Sequence, residues 1–489
     1  MKNIFKSLII VFAIVAGGCS TDLLDPVPVT SLGELQAFDN KARIEGQVNG
    51  MYAKFKDGAF MAGRYQVYND LRAENFLPKS TNLVTNYATW NHSVVSSTNE
   101  VQNLWGAVYA AVNAYNIFLE GLDAKWAAGE LDGVITEAEY KQYKSEALAL
   151  RAMSYFSMVQ LYAQPYAKNN GASPGLPLRL KAYKTGEEND MARSTVAEVY
   201  TQILKDLNDA EGLAIDKYST DLLNTTRIHK NTIVAYKTRV YLHMNDFAKV
   251  QAEAAKIVSS SAPFVAATGV PFALSATFAA IWAPPYTTKE SIFSMPFTST
   301  NLAGTQNALA HYHHPSSSES YYLNQVPGTA FAMLDAEDAR KKLFATGEVN
   351  KKTEYFCGKY TNFTVQTDYA PVIRYAEVLL NYAEAIVRGG NAVNAKAVDL
   401  LNAVRTRSFA TGAYTVDGFA SVDAFKKAIL DERSMEFLGE GIRNMDLLRT
   451  LSTIPGKAGA PAAVEPSSPA YIWPIPTTEL NINKLMTGN

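Results

Sequence analysis

Cysteine is nearly missing from this 489-residue chain, which holds only Cys19 and Cys357. A disulfide-stapled fold is therefore excluded, and no intrachain bridge is possible once Cys19 is consumed in another way. An excess of either charge is missing too: 45 Lys and Arg stand against 47 Asp and Glu, for a net charge of −2. With no dense Lys/Arg run, the electrostatic footprint that phosphate binding demands is lacking, which excludes nucleic acid as a partner. The apolar stretch Leu8 to Ala16 is too short to cross a bilayer, since a spanning helix needs about 20 such residues. No HExxH, paired-cysteine, P-loop or GxGxxG pattern occurs, so metal hydrolysis, nucleotide binding and dinucleotide chemistry lose their usual signatures and no cofactor is implied.

What is present begins with a leader. Lys2 and Lys6 make a positive start, Leu8 to Ala16 an apolar middle, and Ala16, Gly17 and Gly18 supply small residues before Cys19. That order is the signal of a bacterial lipoprotein, so residues 1–18 read as a cleaved signal peptide and Cys19 as the lipid attachment site. Pro26 and Pro28 within Thr21 to Thr30 make residues 19–35 an extended spacer, and the folded body is expected over 36–489. Cys357 stands between Phe356 and Gly358, which offer no base. It reads as a buried thiol.

The body is mainly helical by its periodicity. Trp105, Val108, Tyr109, Val112, Tyr115 and Leu119 recur at three- and four-residue steps within Asn103 to Leu122, and would share one face. Leu148, Ala152, Tyr155, Phe156 and Val159 do the same within Thr136 to Ala163 and would bury one stripe. Further helices are expected at Ala37 to Phe55, Thr195 to Leu213, His229 to Met244, Phe247 to Ser259, Tyr375 to Arg388, Ala395 to Arg407 and Val422 to Leu438. The break Gly389-Gly390-Asn391 makes the pair around it a helical hairpin about as long as a tetratricopeptide (TPR) unit. Between Ser260 and Thr367 the composition shifts to Pro, Ser, Thr and aromatic residues. Residues 260–367 therefore read as a loop-rich insertion on the helical body, where recognition residues tend to lie.

Several clusters invite chemistry. Gly133, Ile135 and Glu139 fall where a calcium loop has its glycine, apolar residue and last carboxylate, but Ala128 stands where the first ligand belongs. A turn at Asp132-Gly133 and a capping box of Thr136 with Glu139 explain the segment better. His311, His313 and His314 lack the further ordered ligands of a zinc site. Glu432, Glu436 and Glu440 alternate with Arg433, Arg443 and Arg449, a pattern that makes ion pairs and keeps carboxylates ionised, whereas a general acid needs a raised pKa. Aromatics are the conspicuous surplus, with 27 Tyr, 22 Phe and 5 Trp. Rings that stack on sugar beside amides or charges are expected in a binding cleft, and the candidates are Trp90 with Asn91, Trp282 with Tyr286, and Tyr312, Tyr321 and Tyr322. Core packing competes for each of them.

A family resemblance then covers almost the whole chain. EALALRAMSYFSMVQLYAQPY from Glu146, RYAEVLLNYAEA from Arg374 and LLNAVRTRS from Leu400 resemble the SusD/RagB family of outer-membrane lipoproteins. DERSMEFLGEGIRNMDLLR from Asp431 and IWPIPTTELNIN from Ile472 are similar to its carboxy-terminal patterns, and Asp338, Arg340 and Lys359 match family positions. Lys484 departs from the proline usual there. The resemblance implies a SusD-like superhelical body of TPR-type hairpins, lipid-anchored at the outer membrane and facing the cell exterior. It further implies capture of oligosaccharide or polysaccharide for a partner SusC-like TonB-dependent transporter, with no catalysis. A RagB-like peptide binder and a non-nutrient TPR scaffold are the alternatives.

Overall fold

The computed structural model describes residues 36–185, 188–457 and 459–489, so the leader, most of the spacer and Cys19 lie outside the described residues. The longer helices follow from the apolar spacing and from their caps. The first, α1 (Lys41–Phe55), is capped by the Asn40 side chain and buries Ile44, Val48, Met51 and Phe55. Next, α2 (Arg64–Arg72) escapes a periodicity reading because Gln66, Asn69, Asp70 and Arg72 are buried along with its apolar residues. The predicted stripe of α3 (Asn99–Ala127) is buried, with Tyr109 packed at its edge.

In α4 (Glu137–Tyr162) the Thr136–Glu139 capping box is present, and the segment that resembled a calcium loop is a helix start. The expected single stripe is corrected here, since every residue of α4 from Ser145 to Tyr162 is buried. Covered on all sides, this helix must satisfy its polar residues internally. Accordingly, the Arg151 Nε and Nη2 donate to Asp206 at 2.8 and 2.7 Å, and its Nη1 donates to Asn116 at 2.8 Å.

Among the described residues, six more helices exceed ten residues: α5 (Val196–Leu213), α6 (Lys230–His243), α7 (Phe247–Ile257), α8 (Tyr375–Gly390), α9 (Ala395–Ser408) and α10 (Val422–Glu436), the last followed by the short α11 (Arg443–Arg449). A second capping box, Thr195 with Glu198, starts α5. Asn391, in the left-handed conformation at φ 46°, ends α8, as a residue closing a helix often does. From α3 to α9 each helix packs on the next, which makes one continuous row of helices. No helix among the described residues is long and apolar enough to cross a membrane.

Among the described residues, six short strands form three antiparallel pairs: β1 (Phe76–Pro78) with β3 (Tyr321–Leu323), β2 (Ser291–Met295) with β6 (Ala370–Arg374), and β4 (Ala345–Val349) with β5 (Lys352–Phe356). The β4–β5 turn has Asn350 and Lys351 at φ 49° and 63°, the left-handed pair that a tight hairpin requires. Both β2 and β3 belong to the loop-rich insertion, yet pair with strands outside it. Phe264, Phe272, Phe278 and Ile292 of the insertion join the same buried cluster as the helices. The insertion is thus stitched into the body, and its loops are held against a rigid support.

Candidate functional site

The strand pair β2–β6 forms the floor of a narrow crevice, with only about 10 Å³ of free volume, into which Trp282, Tyr286, Tyr360, Asp368, Tyr369 and Lys359 converge. A short helical turn, Ala279–Trp282, delivers the indole, and Tyr286 follows in the left-handed region at φ 63°. A non-glycine residue held there marks a locally strained backbone. The Tyr286 ring lies against Tyr369 with centroids 4.9 Å apart and planes at 32°. Its hydroxyl donates to Asp368 Oδ1 at 3.3 Å, while Asp368 Oδ2 accepts the Asn362 N–H at 2.9 Å. Burial raises the Asp368 carboxyl above its usual pKa. Both tyrosines keep accessible surface, so the pair offers a ring platform beside a carboxylate acceptor.

Trp282 is set deeper, at 8 % exposure. Lys359 Nζ stands 4.6 Å from its ring centre and the Arg374 guanidinium 5.3 Å, which places cations on its negative face. The indole N–H has no partner among the described residues. A buried donor left unmatched beside a cleft is a place for a ligand or water oxygen.

Lys359 and Arg374 also anchor the cleft to a buried ionic lattice. Arg374 donates to Glu440 through Nε and Nη2, each at 2.8 Å, to Glu436 at 3.1 Å, and to Glu290. Arg340 holds Asp338 at 2.7 Å and Glu432 at 2.6 Å, while Arg405 reaches Glu432 at 2.9 Å and Arg407 reaches Glu290 at 2.7 Å. Lys359 closes on Glu440 at 2.6 Å. Burial opposes ionisation of Glu436, but the arginines around it overcome this and hold its carboxyl far below the usual range. Glu440 is likewise lowered, through Arg374 and Lys359. The glutamates of this block are ion-paired, but with Arg340, Arg374, Arg405, Arg407 and Lys359 from other segments, not with the neighbouring Arg433, Arg443 and Arg449, and a carboxylate held this low cannot serve as a proton donor near neutral pH.

The other sequence candidates take different positions. Trp90 is 6 % exposed, its indole N–H donates to Phe76 O at 2.8 Å, and Lys457 stands over its ring at 5.0 Å. Tyr312 and Tyr321 are buried at 0 and 3 %, and the Tyr312 hydroxyl donates to Gln306 O at 2.6 Å. These three rings pack the core around β1 and β3, away from the Trp282 cleft. Asn91 and Tyr322 are partly accessible but do not line it. The histidines diverge: His311 pairs with Glu319 at 2.8 Å, His313 is wholly buried, and His314 stacks on Phe363 at 5.4 Å. Among the described residues no cluster of three or more His, Cys, Asp or Glu could hold a metal.

Cys357 is buried and its thiol is pushed up to about 11. A nucleophile elbow is not expected from the sequence, yet Gly171 to Gly175 has its Gly-x-Ser-x-Gly spacing, a motif that needs serine on a strand-to-helix turn. Here Ser173 follows a 3-10 turn and its carbonyl accepts the Val196 N–H at 2.9 Å. Tyr360, Asp368 and Tyr369 are the aromatic and acidic cleft residues that sequence reading missed. Nothing in the local pattern separates Tyr369 from the other tyrosines until β6 pairs with β2.

Near Trp90, Glu100 is 1 % exposed with neither carboxyl oxygen partnered, and burial pushes it up to about 7. A carboxyl raised in the fold contributes stability at low pH that is lost as pH rises from the unfolded value through the folded one. Glu100→Gln is therefore expected to stabilise the protein above pH 7 by roughly 1–3 kcal/mol, and not below pH 4. Urea unfolding at pH 4 and pH 8 checks it, and equal effects at both would refute the assignment.

Comparison with known proteins adds the context. Residues 335–489 match a family model described as the SusD family, and residues 22–242 one described as starch-binding, associating with outer membrane. The fold is similar to a SusD superfamily protein from Bacteroides fragilis, at 32% identity, TM-score 0.80, covering 92% of this chain and 99% of that one. A SusD superfamily protein from Bacteroides thetaiotaomicron, at 22% identity, has TM-score 0.79 with coverage of 92% and 99%. A laminarin-binding SusD-like protein, at 19% identity, has TM-score 0.71 with the same coverage. A SusD-like protein of Formosa agariphila is 23% identical over 267 residues, which is 53% of this chain and only 46% of that relative's length.

Proposed function

The chain belongs to the SusD family, and on that premise we propose that it is a glycan-binding lipoprotein that captures oligosaccharide for a partner SusC-like TonB-dependent transporter. The observation that carries the proposal is the cleft in which the Tyr286–Tyr369 ring pair, the Asp368 carboxylate and the unmatched Trp282 N–H converge. Rings bind the apolar faces of sugar while a carboxylate and a buried donor select hydroxyls. In this reading Cys19 carries the lipid, the body faces the cell exterior at the outer membrane, and the protein binds without catalysing. The laminarin-binding relative of like fold supports glycan over peptide.

The test is a glycan and peptide binding screen on a soluble form that starts after Cys19, followed by calorimetry on the hits. A saturable oligosaccharide hit is expected. Tyr286→Ala should weaken it by about 1–2 kcal/mol, roughly 5- to 30-fold, without unfolding the body. Unchanged affinity would remove this cleft from the site. Binding of peptides alone would move the protein to the RagB-like reading.

A further inference from the structure

A second and larger cleft, of about 390 Å³, lies on another side of β2. Ser294 of that strand lines the aromatic cleft and the adjacent Met295 lines this one, as expected of neighbours in a strand whose side chains point to opposite faces. Its remaining wall comes from the end of α1, through Tyr52 and Lys56, and from the Leu223–Arg227 segment. No sequence motif marked it, because its polar residues are far apart in the chain.

The charge of this cleft is one-sided. Ten residues line it; Lys56 and Arg227 are the charged ones, and no Asp or Glu is among them. Arg227 is already matched: its Nε and Nη2 donate to Glu146 at 2.7 and 3.0 Å, and its guanidinium covers the Tyr52 ring at 4.8 Å. Glu146 is itself wholly buried behind that wall. Lys56 has no such counter-charge. Its ammonium donates to Pro296 O at 2.7 Å and stands 4.6 Å from the Phe297 ring centre, but makes no ion pair among the described residues. Burial lowers its pKa, the mark of a charge that is poorly compensated.

Two amide side chains, Asn49 and Asn301, sit at the same cleft and are exposed, the Asn49 Oδ1 accepting from Arg227 Nη1 at 3.2 Å. Side-chain amides present a donor and an acceptor together, which suits a sugar's neighbouring hydroxyls. We propose that this cleft is a second glycan subsite, for the carboxylate or sulfate substituent of an acidic sugar, with Lys56 as the residue that reads its charge. The proposal deepens the glycan-binding reading and rests on it, while using a separate cleft. An unpaired, half-buried ammonium gains more from an anion than an exposed one does, because the surrounding dielectric is lower.

The experiment is calorimetry on the soluble form with a galacturonate oligosaccharide, a sulfated galactan oligosaccharide, a neutral glucan oligosaccharide and a poly-glutamate peptide. At least one acidic glycan should bind about tenfold or more tighter than the neutral one at low salt, with most of the difference lost at 0.5 M salt. The galacturonate and sulfate arms tell which anion is read. Lys56→Met should bring the acidic glycan down to the neutral level and leave neutral binding unchanged, while Lys56→Arg should keep the preference. Asn301→Ala, at an exposed residue, should weaken the acidic glycan by about threefold or more without affecting the fold.

Retention of the preference in Lys56→Met, no preference in the wild type, or tighter binding of the peptide than of either acidic glycan would each overturn the proposal. Acidic binding that depends on Lys56, with no neutral binding by the wild type, would uphold this subsite and refute the aromatic cleft instead.

Discussion

Glu436→Ala is expected to cost about 3–5 kcal/mol of folding stability, the range for removing one partner of a buried ion pair. The lattice around it is balanced: Asp338, Glu290, Glu432, Glu436 and Glu440 face Arg340, Arg374, Arg405, Arg407 and Lys359, five charges of each sign. Glu436 is wholly buried and touches three of those arginines. Its loss leaves an uncompensated positive charge with no water to screen it, and that penalty exceeds the worth of the pairs themselves. Urea unfolding measures the loss. Lys427→Ala is the control, since that residue's side chain is 71% exposed in its pair with Asp431 and should change stability by no more than about 0.5 kcal/mol.

The same lattice sets an acid limit. Glu436 has a folded pKa depressed from 4.5, so its contribution is present above that value and fades as pH falls toward the folded one. Asp446, held down by Arg433 and Arg449, and Glu384, held down by Arg449 and Arg388, act in the same direction. Stability should therefore fall steeply below about pH 4.5, and less steeply in Glu436→Ala, which lacks one of the titrating groups. Parallel slopes in the two proteins would refute the account.

Trp473→Ala should be as damaging for a different reason, at about 3–5 kcal/mol. The indole is wholly buried, 5.0 Å from the Tyr68 ring and 5.6 Å from that of Tyr162. It locks the carboxy-terminal segment onto α2 and α4, and its backbone N–H donates to Leu161 O at 2.7 Å. The terminal Asn489 then reaches both Tyr162 O and Trp473 O, at 2.9 and 2.6 Å. Truncation leaves a large cavity at the junction of these elements. Trp126→Ala makes a useful comparison, because that ring stacks on Tyr140 at 4.5 Å but is only half-buried. A thermal or urea loss for Trp473→Ala no greater than for Trp126→Ala would show that the segment is held by its hydrogen bonds alone.

The helices were legible in the sequence wherever a polar face survives. The α3 stripe and the Thr136–Glu139 capping box are local patterns set within a few residues, and they fall as read. Reading failed at α2 and on the flanks of α4, where polar residues are buried because their partners come from distant segments. The sites follow the same division. Trp282 and Tyr286 were marked by neighbouring rings and prolines, but Asp368 and Tyr369, which complete their cleft, lie more than eighty residues on.

The sequence by itself determined the helical class and the helix starts, because each depends on residues within a few turns of one another. Only the tertiary structure decided which aromatics face a cleft and which pack the core, that five buried carboxylates meet five cations drawn from distant segments, and that Lys56 is left without a counter-charge. Those outcomes depend on burial and on long-range pairing, which set the local dielectric and the counter-charges, and neither is encoded in any short stretch of chain.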